Sequence, residues 1–146
     1  MTELLPRWLA AAAALLAELD AGRPLPSSVD YSVTAWAFGN DLAMVFLPGE
    51  VVVDYALRLK QELDGAKVWM NAYSNACPGY VPSERILREG GYEGGGAMVY
   101  YDIPGPYATG VEQIIVDAVN TQLKQKFAPA VDVSKTDGIE PLAPAD

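Results

Sequence analysis

The sequence predicts a mixed α/β fold: a three- to four-stranded mixed sheet with one βαβ crossover, an N-terminal helix, a β-hairpin and a C-terminal packing helix. Three observations predict it. Alternating β-formers over Ser32–Phe38 meet a continuous apolar run, Leu42–Leu47, across Gly39-Asn40-Asp41. A stretch of helical period then separates that run from a third strand pattern, Lys67–Tyr73. Ala/Leu-rich and apolar-striped segments near the two ends supply the flanking helices.

In chain order, a helix is expected from Thr2 or Leu5 to Asp20, because Ala and Leu are strong helix formers and Pro6 is tolerated in a first turn. Gly22 can end it, and Pro24 and Pro26 block continuation. Residues 23–31 read as a linker. In the first strand, Val33, Ala35 and Ala37 share one face, and Thr34, Trp36 and Phe38 the other. Trp36 and Trp69 read as core. The second strand is uniformly apolar, as expected of a central strand covered on both faces.

Pro48-Gly49 breaks that strand and opens a helix over Gly49–Asp64, with Val52, Tyr55, Ala56, Leu59 and Leu63 on the apolar side. Gly65 stops it. Strand, helix, strand at this length predicts a right-handed parallel crossover between the second and third strands. A short helix follows from Pro82 or Ser83 to Glu89, with Arg85 and Arg88 on its solvated face or lining an entrance. Ala97–Tyr101 reads as a short strand. Thr109 and Glu112 match a capping box for a last helix reaching about Gln125. A single domain over 1–127 is expected, with a disordered Pro/Asp/Ala tail over 128–146.

The chain has 146 residues, enough for one real core, and a net charge of −9 without a long acidic run. That balance argues against nucleic acid and anionic membrane as partners, since both require basic patches. No stretch is long and apolar enough to span a bilayer. The apolar run Trp8–Ala17 is flanked by Glu3, Pro6, Glu18 and Asp20, which favours an Ala-rich helix over a signal peptide. One cysteine, Cys77, rules out an internal disulfide. The chain contains no histidine, which removes Ser-His and Cys-His catalysis and the commonest zinc ligand from the chain itself.

Asn71–Gly96 is dense in Asn, Tyr and Gly, a composition that costs entropy to order and is characteristic of working loops. Phe46–Glu50 and Asn75–Gly94, with runs such as FLPGEVVVDYALRLK, NAYSN, GYVPSERILREGGYEGGG and IPGPYA, resemble the neutral/alkaline ceramidase family. The likeness is to ceramidase-like proteins of environmental bacteria and covers roughly residues 15–125. The family comprises zinc amidohydrolases that cleave N-acyl sphingosines. Its zinc is held by two histidines, a glutamate and a tyrosine.

The family's glutamate lies in a Pro-x-Glu turn, similar to Pro48-Gly49-Glu50. Its tyrosine lies in an Asn-x-x-x-Gly-Tyr segment, similar to Asn75–Tyr80. A second tyrosine, in a Tyr-Glu-Gly triplet like Tyr92-Glu93-Gly94, stabilises the oxyanion. The resemblance therefore implies Glu50 and Tyr80 as metal ligands and Tyr92 as a transition-state donor. The chemistry suits these residues: zinc accepts carboxylate oxygen, a phenol must ionise in the cation's field or bind as neutral oxygen, and a hydroxyl can meet developing negative charge.

Other readings stand beside these. A glutamate in a first helical turn is favoured by the helix dipole alone. Tyrosines in Gly-rich loops commonly cap a core edge.

Both family histidines and the segment bearing its serine nucleophile are missing. The expectation is thus the C-terminal portion of a ceramidase-like catalytic domain, inactive by itself and binding no zinc alone. Its partners would be a lipid amide substrate and either the missing N-terminal catalytic segment or a second copy. The alternative is a non-catalytic α/β module that binds a protein or small ligand at its strand ends.

Overall fold

The computed structural model describes residues 4–101 and 103–129. Its architecture is mixed α/β. Helix α1 (Leu4–Asp20) precedes a hairpin of β1 (Thr34–Phe38) and β2 (Leu42–Phe46). The two-residue strand β3 (Glu50–Val51), helix α2 (Val53–Glu62), strand β4 (Val68–Asn71) and the two-residue β5 (Tyr80–Val81) follow. Two short helices, α3 (Glu84–Glu89) and α4 (Gly91–Gly94), lead through a 3-10 segment, Gly96–Tyr101, to helix α5 (Val111–Leu123).

The hairpin forms as the alternation predicts. β1 and β2 are antiparallel with Phe38 opposite Leu42, so residues 39–41 make the turn. β2 and β4 are parallel, with Ala43 opposite Val68 and Phe46 opposite Asn71, which makes β2 the central strand of the order β1-β2-β4. α2 lies between those two parallel strands in sequence, as expected of a βαβ unit.

One face of this sheet carries the core. Ala43, Val45 and Val68 join Tyr55, Leu59 and Leu63 around α2 and Ile115, Val116, Val119 and Leu123 of α5 in one buried cluster. Each buried leucine contributes about 1.5–3 kcal/mol relative to exposure, so the paired helices supply much of the stabilisation.

The other face departs from expectation. β2 is closed on one side only: Leu42, Met44 and Phe46 are half-buried. Trp36 and Trp69, expected in the core, are 57% and 58% exposed. Both α2 and α5 pack on the same side of the sheet, so nothing within the described residues covers the tryptophans. Trp36 rests against Phe46 instead, with ring centroids 4.9 Å apart.

Three further expectations are corrected. The helix expected from Gly49 starts at Val53, because Glu50 and Val51 pair with Tyr80 and Val81 in a second, parallel sheet. The strand expected over Ala97–Tyr101 is a 3-10 segment in which consecutive residues, Ala97 and Met98, are both buried; a strand's alternation cannot bury neighbours on one side. The Thr109/Glu112 capping box is absent. Gly110 is the N-cap of α5 with no side-chain bond.

Glu112 is engaged elsewhere: it accepts from Arg58 Nη1 at 2.8 Å and from the Glu84 backbone N–H at 2.7 Å. Glu84 in turn accepts from the Gly110 N–H at 2.6 Å. The N-termini of α3 and α5 thus exchange carboxylates, satisfying N–H groups that each helix leaves open. The tail expected to be disordered lies, from residue 130, outside the described residues. None of the described helices is long and apolar enough to cross a membrane.

Candidate functional site

The site is built on the two-stranded sheet rather than the larger one. After β2 the chain turns through Pro48-Gly49 and enters β3. Gly49 has φ +74°, and a Cβ there would stand 2.5 Å from the Gly79 carbonyl oxygen, so only glycine allows this close approach. The 72–79 loop wraps the turn. Gly49 N–H donates to Ala76 O at 2.8 Å, Tyr73 N–H to Gly49 O at 2.8 Å, and Ser74 N–H to Leu47 O at 3.1 Å.

Tyr73 and Asn75 hold left-handed φ values of 53° and 66° within that loop. Non-glycine residues adopt this region at a cost of about 1–2 kcal/mol each, which the backbone bonds to the turn offset. Strain of this kind concentrates at ligand-binding and catalytic loops.

The wrap brings the sequence-predicted residues together. Glu50 and Tyr80 are register partners in the β3–β5 pairing, and Glu50 N–H donates to Gly79 O at 2.9 Å. The Tyr80 phenol faces the Glu50 carboxylate, and interaction with that anion pushes the phenol well above its ordinary range. Tyr92, at the start of α4, stacks edge-on against Tyr80 with centroids 5.2 Å apart. It is 54% exposed, so part of the residue is open to an approaching molecule. Tyr100 continues the row, 6.2 Å from Tyr92.

Glu50 lies in a strand bridge three residues ahead of α2. The helix-dipole explanation of this glutamate is therefore set aside, since dipole effects fall off within the first turn.

Sequence reasoning missed two members of the site. Tyr73 also interacts with the Glu50 carboxylate, which pushes its phenol up to about 12. A tyrosine seven residues before Tyr80 has no period that would signal this; the left-handed turn at Tyr73 aims it. Tyr101 is the second. Gly79 sits against its ring so closely that a Cβ would stand 2.8 Å from Cδ2. The Tyr101 phenol is raised first by burial, and by its proximity to Cys77 and Tyr92. Cys77 itself is exposed in the wrapping loop.

Behind the site, α3 is held in place by polar bonds. The buried Ser83 hydroxyl donates to Asp54 and accepts from the Ile86 N–H at 3.2 Å as the N-cap of α3. Arg85 forks onto Asp54 at 3.0 and 3.1 Å and also pairs with Glu89. Arg85 is thus bound to carboxylates rather than lining an entrance, while Arg88 is exposed.

The donor set bears on a metal. Glu50 and Tyr80 offer two oxygens at one point. No cluster of three or more His, Cys, Asp or Glu residues able to hold an ion occurs among the described residues. Two oxygens fit half of a four-coordinate zinc shell and cannot complete it. No family model matches the chain, and neither a curated protein nor a solved structure does.

Proposed function

We propose that this chain supplies one half of the active site of a zinc-dependent, ceramidase-like amide hydrolase. The observation that carries the reading is the β3–β5 register that sets Glu50 opposite Tyr80, with Tyr92 stacked edge-on against Tyr80 and the Tyr73 and Tyr80 phenols both raised by the Glu50 carboxylate. Glu50 and Tyr80 would hold the ion from this side, and two nitrogen ligands would come from another polypeptide segment. When bound, zinc would polarise the amide carbonyl and activate the attacking group.

This chain's own residues have separate tasks. The Glu50 carboxylate disfavours ionisation of Tyr73 and Tyr80, which keeps both phenols protonated while the site is open. Tyr73 remains as a neutral hydroxyl that orients the carboxylate. Tyr92 directs a hydroxyl towards the place where negative charge develops on an acyl oxygen. The substrate class is a lipid amide. The open aromatic face with Trp36, Phe38 and Trp69 would receive the complementary segment or a second copy, since apolar patches of this kind mark association surfaces.

The test uses a zinc chelate that already carries two nitrogen ligands, zinc–bipyridine, in place of the missing imidazoles. The intact chain should bind it with a rise in near-ultraviolet tyrosinate absorbance, and Glu50→Gln and Tyr80→Phe should each abolish that signal. Free zinc should bind no tighter than roughly millimolar, because two hard ligands leave the ion mostly hydrated. Chelate binding that ignores both substitutions would overturn the reading.

A further inference from the structure

We infer that the tyrosine cluster around Glu50 is an aromatic cage for a quaternary ammonium group, of the choline or trimethyllysine type. This occupant needs neither a metal nor a second polypeptide segment, so the inference does not rest on the hydrolase reading.

The rings supply the first observation. Tyr80 stands opposite Glu50 in the β3–β5 register, so both side chains leave the same face of the ribbon. The Tyr92 ring is 5.2 Å from Tyr80 at an interplanar angle of 70°, and the Tyr100 ring is 6.2 Å from Tyr92 at 60°. At such angles no ring of the row lies flat on its neighbour. Tyr73 and Tyr101 lie within reach of the same carboxylate: its charge leads in raising the Tyr73 phenol and adds to burial in raising that of Tyr101. Rings from three separate stretches of the chain therefore gather round one anion.

The second observation is that these rings are open. Tyr73 is 60% exposed, Tyr92 is more than half exposed, and Tyr100 and Tyr101 are each about one-third exposed. The third is charge. None of the ion pairs among the described residues includes Glu50. Its carboxylate thus has no counter-charge from the described chain.

These features select the kind of cation. Aromatic faces carry negative charge and attract cations. A primary ammonium is strongly hydrated and needs several acceptors to replace its water. The cluster is built of ring faces rather than ligating groups, and no set of three His, Cys, Asp or Glu occurs among the described residues. A quaternary ammonium donates no hydrogen bond and gains from each ring face that it touches. One carboxylate then suffices for its charge.

The probe is choline, set against its neutral isostere 3,3-dimethyl-1-butanol. Each is titrated with the full chain and followed by its own methyl proton resonance. Ring currents should move the choline N-methyl signal upfield and saturably. Dimethylbutanol should bind at least about tenfold more weakly, since it keeps the shape and loses the charge. Tyr92→Leu should weaken choline about two- to fivefold, the range one ring face supplies at an exposed site, and Glu50→Gln by a similar factor. Tyr80→Phe and Tyr92→Phe keep their ring faces and should bind choline as the parent does.

The phenylalanine variants separate this inference from the hydrolase reading, because Tyr80→Phe should abolish the zinc–bipyridine signal and leave choline binding intact. Choline binding without chelate binding would overturn the hydrolase reading alone. Chelate binding without choline binding would overturn the cage alone. Equal affinity for choline and dimethylbutanol, or choline affinity unchanged in both Tyr92→Leu and Glu50→Gln, would also overturn the cage. Tyr92 is exposed, so Tyr92→Leu should unfold at the parent's midpoint. A blocked trimethyllysine amide distinguishes the sources: tighter binding than choline assigns the ammonium to a protein side chain, and weaker binding assigns it to a free small molecule. Either order supports the cage.

Discussion

The two sheets of this chain are built on opposite terms. The β1-β2-β4 sheet has strands of four or five residues, sealed on one side by α2 and α5 around a continuous apolar cluster. The β3–β5 pair has two residues per strand and is held by a strained loop, its backbone bonds to the 48–50 turn and two tightly packed glycines, with two phenols raised by one carboxylate beside it. The first sheet has many interchangeable contacts. The second has few, and each is specific. A scaffold that tolerates change therefore supports a short ribbon that does not, and the candidate chemistry sits on the ribbon.

That contrast can be broken most directly in the core. Leu59 is fully buried between α2 and the sheet, and Leu59→Ala should cost about 2–5 kcal/mol in denaturant unfolding. Tyr80→Phe should leave the unfolding midpoint close to that of the parent, since the ribbon contributes little burial. Equal losses in the two variants would erase the distinction.

A smaller effect is expected from Gly79→Ala, at about 1–3 kcal/mol. The residue has φ +114°, and a Cβ would meet Tyr101. Its NMR shifts should be confined to the ribbon and Tyr101 while α2 and α5 stay as they are.

The pH predictions are smaller again, and their signs differ. The Asp54 carboxyl is held below its ordinary 3.8 by Arg85 first and Ser83 second. Its contribution to stability is complete above that ordinary value and is lost as pH falls through the lower folded value. Asp54→Asn should show a flatter stability profile on the acid side.

Tyr73, raised to about 12 by Glu50, behaves in the opposite direction. Its contribution is complete below the ordinary phenol value of about 10 and is lost as pH rises from there through about 12. Glu50→Gln should bring its ionisation back towards 10 in an alkaline absorbance titration.

The smallest effect on stability is expected on the open face of the larger sheet. Trp36→Ser and Trp69→Ser change exposed residues and should shift unfolding by no more than about 0.5 kcal/mol. They should, however, reduce any concentration-dependent association seen by light scattering. A parent protein that stays monomeric at high concentration would count against that face as an association surface.

The fold was largely legible because periodicity reports burial directly. The hairpin, the parallel crossover and the two flanking helices all follow from patterns of two and 3.6 residues. The failures occur where pattern and burial separate. An apolar strand such as Leu42–Phe46 reads the same whether its second face meets a helix or nothing, so Trp36 and Trp69 were read as core and are exposed. A two-residue strand has no period at all, so β3 was absorbed into the helix that follows it.

In the site, Glu50, Tyr80 and Tyr92 stood out through their resemblance to a known arrangement. Tyr73 did not, because its role depends on one left-handed backbone turn. The linear order of residues determined the helices, the hairpin and the side of each element that would seek burial, since those depend on neighbours a few positions away. Only tertiary structure decided which side of the sheet the helices chose, and which phenols reached Glu50. Both depend on contacts between distant segments, and local periodicity carries no record of where those segments meet.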